Sequence, residues 1–488
     1  MGKDHDVRRL QHTRRAALGA GLGVAGLATT AIGAEAQSLA THPAVDVAVV
    51  GAGFAGLTAA RRLRAAGRSV VVLEADERVG GRAKPGRIAG ETVDLGGQWV
   101  GPTQTRLLAL AREYGIATYP QYATGLNIAD IAGHRAAYEG ETPALDPVAM
   151  ADFAEAVGRI ETLAAAIPPS RPWEFADAAR LDSQTVETWI QANATTPAVQ
   201  SVLRVLVRAL MSAEPSQVSM LCFAAYAATA GGFGPLISTR GGAQDSLFEG
   251  GAWQLAARMA SDLGGAVVLN APVAKIAQDN SGVTVTTSGG QWRARYVIVS
   301  APPPLASRIE YAPALSARRD GLTQRMPMGC VIKVHIAYAR PFWRDKGYAG
   351  LVISDVVEFG PWFDHSPRHG ATGALVGFFD GGPAQRWADR PPEERRAQVL
   401  NDIARYFGAP ALKPIDYLEE VWTRDPLHRG GYVASAGPGV LTAFGSALRE
   451  PVGRIHWAGT ETADAWVGYF DGAIRSGERA AQEVTARF

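Results

Sequence analysis

Apolar positions along the chain change period in blocks, and the blocks define the elements. Residues 45–50 form a short β-branched run, and from Leu57 the apolar positions take helical spacing, with Leu57, Ala60 and Leu63 on one face. Between them lie Gly51-Ala52-Gly53-Phe54-Ala55-Gly56, so the pattern reads strand, tight turn, helix. A second strand run, 69–73, ends at Glu74. Two short strands are expected over 88–93 and 94–101, then a helix over 103–114. From 117 to 244 the spacing of three and four predicts helices over 146–166, 182–192, 197–211 and 218–228, with Pro and Gly at the breaks. A helix is expected over 248–263, and strands over 266–269, 282–287, 293–300 and 329–338. An amphipathic helix with a solvated outer face follows over 392–407. The strand 455–458 and a last helix ending at 485, with Ala473, Gly477 and Ala480 on its packing face, close the chain.

The first turn has a specific chemistry. Gly51 permits the tight turn, Gly53 lets a pyrophosphate approach bare backbone, and Gly56 lets helix and strand pack closely, with the anion on the helix N-terminus. Glu74, about 20 residues further on, is placed to accept both hydroxyls of an adenosine ribose, and its charge disfavours a phosphorylated ribose. Glycine-rich turns also serve packing alone. Here strand, helix, second strand and acid stand in register, which points to a dinucleotide cradle. The turn by itself does not decide between NAD and FAD. The helical block that interrupts this βαβ start suggests a second, substrate-binding domain, and the strands after 266 return the chain to the first.

Composition adds bounds. With 488 residues, 47% of them apolar, the chain can bury two cores, and a net charge of +1 points to no polyanion partner. Its two cysteines, Cys222 and Cys330, sit in apolar runs and read as buried thiols rather than a bridge. Residues 1–36 read as an export signal. A basic segment with Thr13-Arg14-Arg15 leads into an Ala/Gly-rich apolar run and a small-residue site at Ala34-Glu35-Ala36. The paired arginines favour the twin-arginine route, which carries folded cargo, and so a periplasmic or exported location. An N-terminal membrane anchor is the alternative, although the run is short for a span.

The continuation Arg78-Val79-Gly80-Gly81-Arg82 resembles the signature of the flavin amine oxidases, where it lies along the FAD pyrophosphate. The likeness continues along 45–488. The segment 94–104, DLGGQWVGPTQ, resembles the monoamine oxidase branch, where it contributes to the flavin pocket and implies roles for Gly97, Gln98 and Trp99. Ile237 and Gln244 match residues that line the family's substrate cavity, although Gln244 could equally face solvent from a loop. Val273 matches the valine whose backbone holds adenine. The segment GCVIKVHIAYARPFW places Lys333 at the family lysine that holds a water against flavin N5, whereas a strand lysine without that context simply reaches solvent. Phe363 and Phe378 fall where aromatic residues narrow the cavity, or they are core. Toward the C-terminus, Trp422, Gly459, Glu461 and Phe470 match the second half of the flavin site. Tyr432 and Tyr469 match the pair that sandwiches the amine, against a reading as two core tyrosines. One departure is Gly431, which stands where the mammalian branch has the cysteine that bonds the flavin covalently.

The resemblance implies an α/β protein with a Rossmann-type FAD-binding domain of the amine oxidase fold and an interleaved α+β substrate domain. The boundaries expected are 44–118, 249–323 and 425–488 for the first, and 119–248 and 324–424 for the second. Lys333, Tyr432 and Tyr469 are the expected catalytic residues. Non-covalent FAD is expected on Gly51, Gly53, Ala55, Gly56, Glu74, Gly81, Arg82 and the later matching positions, with no metal. The implied activity is oxidation of a hydrophobic primary or secondary monoamine, with O2 as acceptor and a homodimer as the common assembly. Other readings are a periplasmic cytochrome as acceptor, a polyamine or L-amino acid substrate, a nicotinamide-dependent dehydrogenase, and a flavin-binding scaffold without catalysis.

Overall fold

The β-branched run forms the strand Val45–Val50, and Phe54–Ala65 forms the helix after it, which buries Phe54, Leu57, Ala60 and Leu63. The computed structural model describes residues 40–368 and 371–488. Around the first strand grows a mixed eight-stranded sheet. Its order is Val267–Val268, Val70–Leu73, Val45–Val50, Gly290–Val299, Gly282–Thr287, Val273–Asp279 and Glu310–Ala312, with Ile455–Trp457 also paired to Gly290–Val299. Val45–Val50 runs parallel to both of its neighbours. Such strands are covered on both faces, which is why they read as continuous apolar runs instead of alternating ones. The helices Phe54–Ala65, Trp253–Leu263 and Phe470–Thr485 share the core on one face. Gly477 permits the last contact, because a Cβ there would lie 2.3 Å from the Ala55 carbonyl oxygen.

A seven-stranded sheet stands apart from the first, in the order Asp416–Val421, Val331–Tyr338, Gly373–Asp380, Trp362–Asp364, Tyr348–Ser354, Leu126–Ile131 and His134–Tyr138. Its register sets Lys333 opposite Phe378 and Val331 opposite Asp380. Every strand of the eight-stranded sheet comes from 44–118, 249–323 and 425–488, and every strand of the seven-stranded one from 119–248 and 324–424. The helices Pro147–Ala166, Val186–Asn193, Pro197–Met211 and Met220–Thr229 form a separate core. Each starts at a side-chain cap, from Asp146, Thr185, Thr196 and Ser219, that accepts backbone N–H groups of the first turn.

Several elements differ from the sequence pattern. The expected helix 182–192 is two helices, Ala178–Asp182 and Val186–Asn193, because Thr185 caps the second. The expected strand 88–93 is a hairpin of Pro85–Ile88 and Glu91–Asp94, turned by Ala89 and Gly90 at φ 47° and 86°. The helix expected from 248 begins at Trp253, since Phe248 ends the strand Ser246–Phe248 and Gly250 and Gly251 sit at φ 77° and 88°. The block 117–244 is not purely helical, for it includes Leu126–Ile131 and His134–Tyr138, whose pairing across a two-residue turn outweighs weak periodicity. The helix Pro392–Phe407 buries Val399, Ile403, Tyr406 and Phe407 and leaves its other face to water. Cys222 and Cys330 are free thiols. The export-signal reading of residues 1–36 lies outside the described residues. Among the described residues no helix is long and apolar enough to cross a membrane.

Candidate active site

The glycine turn between the first strand and helix lines one end of a cavity of about 490 Å³ whose wall takes residues from both sheets. Gly51 has φ 97°, and a Cβ on Gly56 would come within 2.0 Å of the Gly51 carbonyl oxygen. The helix Phe54–Ala65 begins at Gly53 without a side-chain cap, so its first amides are left for a ligand. Glu74 is buried beside this turn and accepts from Ala52 N–H at 2.5 Å and Asp76 N–H at 2.9 Å. Burial pushes its carboxyl up, against those two hydrogen bonds. Ala55, Gly81 and Val273 share the wall here.

Further in, Arg82 ties three segments together. It donates to Glu461 at 2.8 and 3.2 Å and to the Tyr432 carbonyl oxygen at 2.7 Å. Glu461 and Gly56 therefore stand behind the cavity wall, whereas Arg82 and Gly459 are on it. A Cβ on Gly97 would lie 2.6 Å from the Phe470 ring, which stacks on Phe54 at 4.4 Å. Trp422 donates to the Leu95 carbonyl oxygen at 2.9 Å and fixes the same turn from the other side. The helix Phe470–Thr485 also begins without a side-chain cap, at Tyr469.

Lys333 is 3% exposed, so it does not reach solvent. Its Nζ donates to the Asp94 carbonyl oxygen at 2.6 Å, to the Gly96 carbonyl oxygen at 2.8 Å and to Gln98 Oε1. Three acceptors match the three hydrogens of an ammonium. Burial nevertheless pushes the amine down and the nearby Asp94 carboxyl up, each held back by the other's charge. Gln98 Nε2 is buried on the same wall, with no partner among the described residues. His335, two residues along the strand, bonds the Asp94 carbonyl oxygen through Nε2 at 3.0 Å, and its ring lies 5.1 Å from His365.

Tyr432 and Tyr469 both line the cavity and do not stack on one another. Tyr469 lies between Tyr226, at 6.3 Å and 24°, and Trp466, at 4.9 Å and 78°. Tyr432 stands at 89° to Phe378, 5.9 Å away, and its hydroxyl faces Asp380 at 3.3 Å. Burial pushes the Tyr469 phenol up to about 12 and that of Tyr432 well above its ordinary value, so both keep their protons at neutral pH. Ile237, Gln244, Phe363 and Phe378 line the far half, and Trp99 packs at 5.2 Å on Phe363. Gln244 Nε2 approaches the Leu236 carbonyl oxygen at 3.4 Å, a long contact that leaves most of its amide to the cavity. Asp380, Ser212 and Tyr226 escape the sequence reading. An acid closing the apolar run 373–379 is the signal that could have flagged Asp380, the same signal that marks Glu74.

These features fit a dinucleotide whose phosphates meet the Gly51 turn and whose flat ring meets Gly97, Gln98 and the Phe470 helix. The profile described as "Flavin containing amine oxidoreductase" matches residues 54–485. The chain belongs to the flavin-containing amine oxidoreductase family. It is therefore an oxidoreductase acting on amines, with FAD as its cofactor. It is 42% identical over 442 residues to the putative flavin-containing monoamine oxidase AofH of Mycobacterium tuberculosis, covering 91% of this chain and 97% of that one. It is 40% identical to an L-amino acid dehydrogenase of Synechocystis sp., covering 91% and 96%. Wild-type putrescine oxidase bound to putrescine superposes with a TM-score of 0.88 at 35% identity, covering 92% of this chain and all of the other. Those names diverge on substrate.

Replacing Glu461 with Gln leaves Arg82 without its counter-charge and loosens the Tyr432 segment. Thermal unfolding should show a loss of about 2 kcal/mol, less than for a wholly buried pair because Arg82 is partly exposed. An unchanged melting temperature and unchanged FAD retention would show that this ion pair does not join the segments.

Proposed function

We propose that this flavoenzyme oxidises hydrophobic primary or secondary monoamines to imines, which hydrolyse to an aldehyde or ketone plus ammonia or amine, with O2 as final acceptor and H2O2 as co-product. The observation that carries the reading is the far half of the cavity, where Tyr432, Tyr469, Ile237, Phe363 and Phe378 make an aromatic and apolar wall. When bound, FAD supplies the two-electron acceptor for the α-carbon hydride. The two electron-rich phenol faces attract a cationic amine on entry and orient the nitrogen lone pair once it is neutral. The apolar wall excludes water from the reacting carbon. Gly51, Gly53, Ala55, Glu74, Gly81, Arg82, Gly97, Gln98, Trp99, Val273, Trp422, Gly459 and Phe470 are assigned to holding the cofactor, with Gly56 and Glu461 in support. The attachment is non-covalent, since Gly431 offers no nucleophile.

Amino acid substrates fit poorly. A substrate carboxylate needs a free cation, and neither Arg82 nor Lys333 on the inner wall is one. Arg82 is held by Glu461, Lys333 by three oxygens, and Arg308 faces the Pro426 carbonyl oxygen at 3.4 Å beside the nucleotide end. One observation favours a second reading, a diamine. Glu141, exposed on the cavity wall, accepts from Thr239 N–H at 2.9 Å and Arg240 N–H at 3.1 Å and is placed to meet a distal ammonium.

Lys333 is assigned to proton traffic during reoxidation, since its buried amine gives up a proton readily. We further propose that the two sheets divide the work between cofactor and substrate, that the chain is exported by the twin-arginine route on residues 1–36, and that it assembles as a homodimer.

An anaerobic screen of monoamines, α,ω-diamines and amino acids should bleach the flavin band fastest with aromatic or alicyclic monoamines. Faster bleaching by diamines would favour the second reading, and none by any amine would leave a scaffold. Lys333→Met should slow reoxidation in air more than it slows bleaching, and equal loss of both would remove the role assigned to Lys333. Cell fractionation should find the chain outside the cytoplasm, with the Arg14-Arg15 pair replaced by lysines retaining it inside. Export unaffected by that replacement would exclude the twin-arginine route.

A further inference from the structure

One cavity carboxyl has no task in the chemistry above. Asp380 ends the strand Gly373–Asp380, is 1% exposed, and forms part of the cavity wall. Its Oδ1 accepts from Ser212 Oγ at 2.8 Å, and its Oδ2 faces the Tyr432 hydroxyl at 3.3 Å. Ser212 is fixed for this contact. It follows the helix Pro197–Met211 in a left-handed conformation, φ 49°, and its carbonyl oxygen accepts from Cys330 N–H at 2.7 Å.

Among the described residues no cation pairs with Asp380 directly, and the charge of Arg208 reaches it only from a distance. Arg208, on that helix, is bidentate to Glu214 at 3.0 and 3.3 Å. Arg386, on the next helix, Gly382–Ala388, pairs with Glu358 at 2.8 Å. Lys333, on the neighbouring strand, is engaged with its three oxygens, and Cys330, Tyr226 and Tyr469 are further titratable groups on this side. Against the two hydroxyl donors and the more distant charge of Arg208, burial pushes the Asp380 carboxyl up to about 8. Its charge state sets what Tyr432 offers the cavity. Ionised, Asp380 takes the phenol hydrogen, so Tyr432 presents only oxygen lone pairs. Protonated, Asp380 donates to Tyr432 Oη and turns the phenol hydrogen outward.

Resting on the amine-oxidising reading, we propose that Asp380, acting through Tyr432, takes up the proton that an incoming substrate ammonium must lose before oxidation. An ammonium N–H bond breaks and its proton passes to Tyr432 Oη, while the Tyr432 proton passes to Asp380 Oδ2. The amine is left with its lone pair, the carboxylate becomes a carboxylic acid, and the dry cavity holds no net charge from the pair. No electrons move in this step. Asp380 is a positioning residue, and Tyr432 is the group that meets the amine.

The complex thus holds one proton shared by amine and carboxyl. It forms from ammonium plus carboxylate, or equally from free amine plus carboxylic acid. On the acid side both partners are protonated and on the alkaline side neither is, so capture falls about tenfold per pH unit beyond each limb. The experiment follows anaerobic bleaching at low amine concentration against pH for phenethylamine and its less basic β,β-difluoro analogue. Wild type should show two limbs, one staying near pH 8 for both amines and one moving with amine basicity. Asp380→Asn should show a single limb that moves with the amine and then a plateau.

A second readout involves no turnover. 2-Phenylpropan-2-amine, which has no α-hydrogen, is bound anaerobically at pH 9 in weak buffer with an indicator dye. Wild type should release few protons per amine bound and Asp380→Asn close to one. Ser212→Ala, a milder change, should move the fixed limb to higher pH if Asp380→Asn does not fold. A wild-type profile in which every limb moves with the amine overturns the proposal while leaving amine oxidation intact. Failure of all amines to bleach the flavin removes both.

Discussion

The Arg82 guanidinium holds together parts of the chain that are far apart in sequence, and they meet at the cavity wall. One side chain grips the Glu461 carboxylate, 379 positions away, and the Tyr432 carbonyl oxygen, 350 positions away. Glu461 sits just past the strand Ile455–Trp457, which is part of the eight-stranded sheet, so the grip refers the Tyr432 segment back to that sheet. A partly buried ion pair is a weak source of stability but a strict source of geometry, because a charge stranded by a misplaced partner is expensive. The same logic governs the wall behind it. Lys333 comes from the other sheet, yet its amine is satisfied by Asp94, Gly96 and Gln98, which lie on the segment following Arg82.

Buried charge recurs through the cavity, each instance with a different compensation. Glu74 has backbone amides, Lys333 has carbonyl oxygens, and Arg82 has a carboxylate. Among the described residues, Asp380 has only the hydroxyls of Ser212 and Tyr432 as donors. A group so poorly compensated either stays neutral or waits for a cation, and the family's substrates are cations in water.

Much of the backbone at the glycine-turn end of the cavity was legible in sequence because its determinants are local. The Gly51 turn, the strand ending at Glu74 and the glycine pair before Arg82 each announce their backbone geometry through residues that few others could replace. The helix Pro197–Met211 was legible to the residue, since Thr196, Pro197 and a sustained apolar stripe agree. The strands Leu126–Ile131 and His134–Tyr138 were not, because the first pairs with Tyr348–Ser354, more than 200 positions away, and the second pairs with the first, and local periodicity says little about either. The partners of Arg82 and the Asp380 contact to Tyr432 are tertiary facts of the same kind. Lys333 shows the middle case: its strand was plain, while its burial, which excludes a solvent-facing lysine, depended on what the rest of the chain laid over it.

The central claim is that these separated segments close around a single flavin per chain. The most direct measurement is the visible spectrum of the purified protein, with the flavin quantified after acid precipitation. One FAD per polypeptide, recovered entirely in the supernatant, is the predicted result. A colourless protein that takes up no FAD on reconstitution, or flavin that stays with the precipitated chain, would contradict it.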